Sequence, residues 1–328
     1  MAGFDVVVTG AAGFIGSHFC DKLRKSGLKI LALDSLKPVY SSQLQSRRLD
    51  YFEFEKDSNI TFLKFDLASC HVNELAKLIS GSKTVVHLAA SPGVRRSLQH
   101  PDEYSSNNIV GFSKIVDAVN SASIPLFFYA SSSSVYGNRI ENKPMVENSA
   151  DGQNLASYYA TTKWTNELIA KNYPFTTTQS CALRFFTVYG AWGRPDMAYF
   201  SFANKIVTGE PIEIFNNGNL TRDFTYISDL IYCLEKLVLA PQTPNLRLPT
   251  DLNFGLGRPN SVSDLVAGLE YNLGRKANLK FVAKPTTDVD NTCSDPSLLK
   301  SIIGDLPETT FSDGLAKFSK WFSEYVVY

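Results

Sequence analysis

The chain has 328 residues, which favours one large domain with a smaller second lobe over two full-size domains. Hydrophobic residues make up 44% and charged residues 20%, a globular composition that argues against a disordered chain. The 32 Lys and Arg residues balance the 32 Asp and Glu residues, so no net charge attracts the chain to nucleic acid or to an anionic membrane.

The cysteines and the amino-terminal residues bear on the compartment. The five cysteines lie far apart without a Cys-x-x-Cys pair, which favours a reducing compartment. Residues Phe4 to Thr9 have the pattern of a buried strand, not of a basic leader with an apolar stretch and a cleavage site. No apolar segment approaches the roughly 20 residues that span a bilayer. We therefore expect a cytoplasmic protein with neither a membrane nor a nucleic-acid partner.

Short β-branched or aromatic runs alternate with amphipathic stretches in the first half, a pattern typical of parallel strands joined by crossover helices. The predicted strands are Phe4–Thr9, Lys29–Leu33, Ile60–Phe65, Thr84–Leu88, Leu126–Ala130 and Gln179–Phe185. The predicted helices are Ile15–Lys25, Val72–Ser80, Asp102–Ser121 and Ser157–Lys171. The sequence therefore predicts an α/β fold with a Rossmann-type, doubly wound parallel sheet. The polar and aromatic segment Lys37–Lys56 has no decisive pattern.

Beyond Thr187 the alternation stops. A Gly-, Pro- and Trp-rich loop at 190–195 precedes a predicted helix near Tyr199–Thr208 and a strand at Ile212–Phe215. Leu252–Phe254 has the pattern of a further buried strand that returns to the main sheet. The predicted division is a main domain at 1–187 and a smaller lobe at 188–328. Within the second range, a segment near 225–262 is predicted to return to the main domain.

A glycine-rich segment follows the first strand directly. It predicts a phosphate-binding turn made of Gly10, Gly13, Phe14, Ile15 and Gly16. Glycine permits a tight turn and lets backbone amides approach a pyrophosphate, whose charge the helix N-terminus favours, although such a segment also occurs as a purely structural turn. Asp34 closes the second strand about 20 residues later, where a carboxylate accepts hydrogen bonds from a ribose diol and repels a 2′-phosphate. The pattern favours NAD over NADP, with a helix cap as the alternative role of Asp34.

Tyr159 and Lys163 are four residues apart, so they share one face of the predicted helix Ser157–Lys171. A tyrosine with a pKa of about 10 is a poor base at neutral pH, but a neighbouring ammonium favours its phenolate. Tyr158 is five residues from Lys163 and points elsewhere. The pair is a candidate base with its charged partner, although this spacing also occurs in plain surface pairs.

Serines occupy the end of the strand Leu126–Ala130, in a run of four from Ser131 to Ser134 that precedes Val-Tyr-Gly. Open α/β sheets bind ligands at the carboxyl ends of their strands. Alone, this run is also compatible with an ordinary serine-rich loop. In order with the glycine-rich turn and the Tyr-Lys pair, it predicts an enzyme site.

With these motifs the chain resembles the extended short-chain dehydrogenase/reductases that act on nucleotide sugars, and among them the UDP-glucuronate 4-epimerases. The resemblance spans nearly the whole chain and continues in the stretches 87–90, 93–95, 190–198, 215–219 and 222–226. It implies an NAD-dependent isomerase that interconverts UDP-glucuronate and UDP-galacturonate. Domain 1–187 is then expected to bind NAD, and the lobe 188–328 mainly the nucleotide sugar.

The resemblance implies a catalytic triad of Ser132, Tyr159 and Lys163. Tyr159 takes the proton of the sugar 4-hydroxyl while C4 passes hydride to NAD⁺, and the 4-keto sugar turns over before the hydride returns to its opposite face. Besides the glycine-rich turn, Asp34, Tyr159 and Lys163, the NAD contacts that it implies are Asp66, Leu67, Leu88, Ala89 and Asn108.

A 4-keto uronic acid loses CO₂ readily, so an epimerase of this kind must hold the carboxylate still. Dehydratases and decarboxylases of the group carry an acidic residue in the loop before Val-Tyr-Gly, where this chain has only serines. The resemblance implies that Ser133, Ser134 and Thr187 donate hydrogen bonds to the carboxylate, with Arg194 adding charge or ordering its loop. The other residues implied at the nucleotide sugar are Arg95, Phe215, Arg222 and Asp288.

Several alternatives remain open. Galactose-type epimerases resemble this chain but usually carry Asn at the position of Thr187, so a UDP-glucose or UDP-N-acetylglucosamine 4-epimerase is the main one. A UDP-glucuronate decarboxylase and a non-catalytic NAD-binding protein are further alternatives for the function. For Phe215, the alternative role is that of an ordinary core residue in a strand. The four histidines lack metal-ligand spacing, so we expect no metal. The helices Asp102–Ser121 and Ser157–Lys171 correspond to the dimer bundle of relatives, so we expect a homodimer.

Overall fold

The strands and helices follow the predicted alternation in a computed structural model that describes residues 3–37, 40, 42–138, 143–240, 247–283 and 291–326. In chain order the strands are β1 (Val6–Thr9), β2 (Ile30–Asp34), β3 (Ile60–Lys64), β4 (Thr84–His87), β5 (Leu126–Ser132), β6 (Gln179–Phe185), β7 (Thr187–Tyr189), β8 (Pro211–Phe215), β9 (Thr221–Tyr226), β10 (Asp251–Phe254), β11 (Pro259–Ser261) and β12 (Asn278–Val282). The α-helices are α1 (Phe14–Lys25), α2 (Ser42–Tyr51), α3 (Val72–Ile79), α4 (Val94–Gln99), α5 (Pro101–Tyr104), α6 (Gly111–Ser121), α7 (Tyr158–Asn172), α8 (Ala198–Thr208), α9 (Ile227–Leu239), α10 (Val262–Leu273), α11 (Ser297–Ile303) and α12 (Phe311–Tyr325).

The main sheet has seven parallel strands in the order β10-β6-β5-β4-β1-β2-β3, the Rossmann-type doubly wound sheet that the sequence predicts. Its register pairs Thr9 with Leu33 on one side and with His87 on the other, so the loops after β1, β2 and β4 leave the same edge. Two smaller sheets, β11-β9-β7 and β12-β8, belong to the second half of the chain. The candidate motifs therefore meet at the carboxyl edge of the main sheet.

Two hydrophobic clusters cover the two faces of the main sheet, because successive residues of a strand point to opposite faces. Val6 and Val8 of β1 belong to one cluster, and Val7 between them belongs to the other. All three side chains are at most 3% exposed. Burial on both faces explains why the strands are continuous apolar runs.

The predicted helix Asp102–Ser121 is not one regular helix. α5 and α6 are separated by a π-helical turn at Ser105–Val110, which contains the buried Asn108. Single π-turns are frequent at functional sites. The difference comes from the tertiary bonds of Asn108, which a periodic pattern does not reveal.

β10 returns to the main sheet from the second half of the chain, where it pairs with β6 as an edge strand. α9 packs against α1, and the Glu235 carboxylate of α9 accepts a hydrogen bond from Ser26 at 2.6 Å. The proposed division at 187 and 188 stays a prediction.

Within the described ranges, no helix is both long and apolar enough to cross a membrane. The same residues contain no group of three or more His, Cys, Asp or Glu side chains that could hold a metal ion. All five cysteines are free thiols, and three of them are buried.

The buried His87 and the partly buried His18 should make the protein sensitive to acid. Burial lowers the pKa of His18 to about 4 and that of His87 to about 3, with the nearby charge of Lys163 adding to the effect at His87. Below about pH 6.5 the unfolded chain takes up protons that the folded protein does not, so the free energy of unfolding falls as the pH drops. We expect a loss of about 1.4 kcal/mol per pH unit for each histidine.

The variant His87→Gln should lower this slope by about 1.4 kcal/mol per pH unit when urea denaturation is measured between about pH 6 and pH 4. Carboxylates with a lowered pKa, such as Asp66, add the same slope to both proteins. Above pH 7 the two stability curves should run parallel. Equal slopes in the acid range would contradict the assignment.

Candidate active site

Gly10 and Gly16 form a turn that larger residues would obstruct. Gly10 has a φ of +71°, and a Cβ on it would lie 2.6 Å from the backbone nitrogen of Ala89 in the neighbouring loop. A Cβ on Gly16 would collide with the carbonyl oxygen of Gly10. No side chain caps α1 at Gly13, so its N-terminus remains available to an anion.

Asp34 ends β2 beside this turn. Its Oδ2 accepts a hydrogen bond from the Ala12 amide at 3.0 Å, and its Oδ1 accepts one from the Leu36 amide at 2.8 Å. Burial raises the pKa of Asp34, and these two bonds oppose the rise. Neither amide starts a regular helix, so the geometry does not support the alternative of a helix cap.

A cavity of about 400 Å³ opens at this edge of the sheet. The predicted cofactor residues that line it are Gly10, Gly13, Phe14, Asp34, Asp66, Leu67, Leu88 and Ala89. Ile15 and Gly16 belong to α1 and are outside the lining. Most of the predicted NAD contacts therefore share one cavity, while their roles stay a prediction.

Asn108 holds the loop after β4. Its Oδ1 accepts a hydrogen bond from the Ser91 amide at 2.7 Å, and its Nδ2 donates to the Ser91 carbonyl and to Thr162 Oγ1, both at 3.1 Å. The neighbouring Asn107 lines the cavity and donates to Ser91 Oγ at 2.8 Å. Asn108 thus lies behind the cavity wall and fixes Ser91, which lines it.

The three predicted catalytic residues lie together. Lys163 Nζ is 5.8 Å from the centre of the Tyr159 ring on the same face of α7. Ser132, the last residue of β5, has its hydroxyl near enough to Tyr159 to lower the pKa of that residue. Tyr158 is directed elsewhere, to Ser105 Oγ at 2.6 Å. Tyr159 therefore has the geometry of the base, whereas Tyr158 does not.

Besides Lys163, a second charge acts on Tyr159, from a residue that the helical spacing does not reveal. Lys163 Nζ donates to the Ala130 carbonyl at 2.7 Å, and burial lowers the pKa of Lys163 to about 8. Burial raises the pKa of Tyr159, and the charge of Arg194 and the Ser132 hydroxyl oppose that rise. Arg194 also forms an ion pair with Asp196 at 2.7 Å and lines the cavity.

The serine loop is held by its own hydroxyls. Ser132 accepts hydrogen bonds from the Ser134 amide at 3.2 Å and from the Ser134 hydroxyl at 2.8 Å. These bonds cap a 3₁₀ turn at Ser133–Tyr136. Because Ser132 Oγ accepts twice from this turn, its own proton is available to the Tyr159 oxygen.

Besides the serines and Arg194, four of the predicted nucleotide-sugar residues form two pairs. The guanidinium of Arg95 lies 5.5 Å from the centre of the Phe215 ring. Thr187 and Arg222 lie on the paired strands β7 and β9, where Thr187 is opposite Phe224. Asp288 lies outside the described residues. The structure thus brings Arg95 to Phe215, and Thr187 near Arg222 in the register of one sheet.

Sequence analysis missed three residues around the site, Tyr40, Arg48 and Tyr104. Tyr40 donates to Asp196 at 2.9 Å, and the Tyr104 ring meets the Tyr159 ring edge to face at 6.3 Å. Arg48 lies in α2, inside the segment that has no decisive pattern. Its four-residue spacing from Leu44 and Phe52 is the signal that was available.

Comparison with known proteins identifies the family of this chain and agrees with its Rossmann-type fold. Residues 6–253 match the NAD dependent epimerase/dehydratase family. UDP-glucuronate 4-epimerase 4 of Arabidopsis thaliana is 38% identical over 98% of this chain and 76% of that protein. The UDP-glucuronic acid 4-epimerase of Bacillus cereus, solved with UDP-glucuronic acid and NAD, is 30% identical with a TM-score of 0.87 and covers 97% of this chain and 99% of that one.

MoeE5 is a further similar structure. Its complex with UDP-glucuronic acid and NAD is 32% identical with a TM-score of 0.82, over 98% of this chain and 100% of that one. The same protein has also been solved with UDP-glucose and NAD. One scaffold of this shape thus accommodates both an acidic and a neutral sugar nucleotide.

Proposed function

Since the chain belongs to the NAD dependent epimerase/dehydratase family, we propose that it is a UDP-glucuronate 4-epimerase that interconverts UDP-glucuronate and UDP-galacturonate. The observation that carries the proposal is the serine loop, in which every polar side chain between the end of β5 and Tyr136 is a hydroxyl. A dehydratase or decarboxylase needs an acidic residue there for its later proton transfers. The relatives of known name support the uronate as substrate.

NAD is the cofactor, and the described residues fit it. A Cβ at Gly10 or Gly16 would fill the space where the backbone turns toward the helix N-terminus. We propose that this turn holds the pyrophosphate, Asp34 the adenosine ribose, and Asp66 with Leu67 the adenine. When bound, NAD⁺ supplies a hydride acceptor for the sugar C4 and a positive charge that favours the phenolate.

The chain's own residues then handle the proton. Tyr159 accepts the proton of the sugar 4-hydroxyl, and Ser132 donates a hydrogen bond to the oxygen on which charge develops. Lys163, fastened to the Ala130 carbonyl, fixes its ammonium beneath the Tyr159 ring. After the 4-keto sugar has turned over, return of the hydride to its opposite face would invert C4, and Tyr159 gives the proton back to the 4-oxygen.

The uronate carboxylate must be kept from leaving as CO₂. We propose that Ser133 and Thr187 donate hydrogen bonds to it, and that the Ser134 hydroxyl turns from Ser132 Oγ to do the same. These bonds hold the carboxylate close to the plane of the carbonyl group. Arg222 binds the pyrophosphate of the sugar nucleotide, and Phe215 stacks on uracil. The guanidinium of Arg95 lies over the Phe215 ring. Asp288 completes this proposed set.

The proposal is tested by incubating purified protein with UDP-glucuronate and following the products by NMR. We expect UDP-galacturonate without added cofactor, because NAD is regenerated in each cycle. UDP-xylose or a 4-keto pentose as the sole product would refute the proposal. In the control with heat-inactivated protein, UDP-glucuronate should remain unconverted.

A neutral-sugar epimerase is the second candidate, and the UDP-glucose complex of MoeE5 favours it. Parallel assays with UDP-glucose and UDP-N-acetylglucosamine distinguish the two candidates. A kcat/KM for a neutral sugar well above that for the uronate would select the second candidate.

A homodimer and a cytoplasmic location are the remaining proposals. Val110, just before α6, and Leu168 of α7 are about half exposed, at 46% and 45%. Light scattering of the purified protein measures the oligomeric state, and a monomeric mass would contradict the dimer.

A further inference from the structure

Arg48 is a buried cation that joins two loops at the cavity. Its Nη1 donates to the carbonyl oxygen of Ala12, in the glycine-rich turn, at 3.2 Å. Its Nε donates to the carbonyl oxygen of Trp192 at 2.9 Å, and its Nη2 to that of Gly193 at 3.1 Å. One planar guanidinium therefore spans two segments that are about 180 residues apart in the chain.

The charge of Arg48 has no partner of opposite sign at ion-pair distance in the part of the chain that the structure describes. The residue is only 5% exposed and lines the cavity. Burial lowers the pKa of Arg48 to about 10, so the side chain remains charged at neutral pH. Carbonyl oxygens satisfy its donors but do not neutralise it, and an anionic ligand in the cavity gains from that charge.

The backbone of Ala12 is held on both sides. Its N–H group donates to the Asp34 carboxylate, and its C=O group accepts from Arg48. Both backbone polar groups of this residue, in two successive peptide units, are thus bound to charged side chains, which makes the bonds stronger than those between neutral groups. The orientation of the glycine-rich turn therefore depends on Arg48 as well as on Asp34.

The other end of the bridge leads to Tyr159. Trp192 has a φ of +60°, a left-handed conformation that is unfavourable for a bulky residue, and the bond from Arg48 helps to hold it. Arg194 follows two residues later, and its Nη2 would lie 3.6 Å from a Cβ on Gly93. Tyr104 donates to the Gly93 carbonyl at 2.9 Å and packs on the Tyr159 ring.

We propose that Arg48 is a positioning residue that fastens the glycine-rich turn to the 190–196 loop, so that the dinucleotide site and the position of Arg194 relative to Tyr159 are set together. The groups that face Tyr159 are Arg194, Lys163, Tyr104 and Ser132. Of these, Arg194 is the one whose loop Arg48 holds. The pH profile of kcat rests on the proposed function, whereas the retention of NAD does not.

The test uses the full-length variants R48M and R48K, purified with their cofactor. The first readout is the NAD that stays with the protein after gel filtration, which should fall about tenfold or more in R48M. The second is the pH profile of kcat with whichever UDP-sugar the wild type converts. Its rise, which follows deprotonation of Tyr159, should move up by about half a pH unit, because Arg194 no longer sits where its charge favours the phenolate. In R48K both changes should be smaller, since an ammonium carries the charge but cannot span three carbonyls.

R47M is the matched control. Arg47 precedes Arg48 in α2, lies 5.7 Å over the same Trp192 ring and donates to the Tyr325 carbonyl at 2.7 Å, yet the glycine-rich turn is not among its contacts. This variant should keep wild-type NAD and the wild-type pH profile. A folded R48M with wild-type NAD, or one that loses NAD while its pH profile stays in place, overturns the proposal. If R48M does not fold, wild-type values for both readouts in R48K overturn it.

Discussion

Replacing Tyr159 with Phe is expected to lower kcat by about 10³-fold, because the variant lacks the hydroxyl that we propose as the base for the sugar's proton. The phenyl ring still fills the same space, so its edge-to-face packing on Tyr104 should persist. Because the variant keeps the ring and loses only the hydroxyl, the NAD content and the KM should change little. Steady-state kinetics with UDP-glucuronate, together with NAD quantified after heat release, measure all three quantities.

The adjacent tyrosine offers the matched control. Tyr158→Phe removes a hydroxyl that bonds Ser105 on another side of α7, so kcat should stay within about twofold of the wild type. If Tyr159→Phe kept near-wild-type kcat, or if both variants lost activity equally, the assignment of the base to Tyr159 would be wrong.

The parts of the site that the sequence predicts are those fixed by local geometry. Tyr159 and Lys163 share a face because a helix repeats every 3.6 residues, and Asp34 reaches the glycine-rich turn because parallel strands end at one edge of a sheet. Neither relation needs knowledge of distant packing. Eight of the thirteen predicted cofactor residues therefore line the cavity, while their chemical roles stay a prediction.

The parts that the sequence does not predict depend on contacts between distant segments. Arg48 bonds Trp192 and Gly193, which lie more than 140 residues away, and no periodic pattern records such a contact. The position of Arg194 follows from the same bridge. Local propensity gives no signal for either, because polar residues of α2 have the composition of an exposed helix.

The irregular helix before α6 has the same explanation. A period of 3.6 residues predicts a continuous helix across Ser105–Val110, but the side chain of Asn108 binds Ser91 and Thr162 from different elements. A single wider turn accommodates these bonds. Sequence patterns thus position the backbone layers, whereas polar contacts between layers decide where the pattern is broken.

The second large effect, a loss of bound NAD, is expected at the glycine-rich turn. It is measured by comparing a glycine of the turn with a glycine outside it, both of which have a positive φ. Gly10 has a φ of +71° and Gly27, just after α1, a φ of +78°. Nothing lies within 4 Å of a Cβ on Gly27, whereas a Cβ on Gly10 would meet the backbone of Leu88 and Ala89. Alanine at either position costs about 1–2 kcal/mol for the left-handed conformation, so the difference between the variants isolates the steric effect.

Gly10→Ala should abolish NAD retention and with it epimerase activity, because β1 and the loop after β4 must move apart to admit the methyl group. Gly27→Ala should lose only stability and keep wild-type NAD content. Both variants are measured by urea denaturation and by NAD quantified after gel filtration, with circular dichroism to confirm that each is folded. Should a folded Gly10→Ala variant hold as much NAD as Gly27→Ala does, the pyrophosphate does not lie against this turn, since the added methyl group stands at its centre.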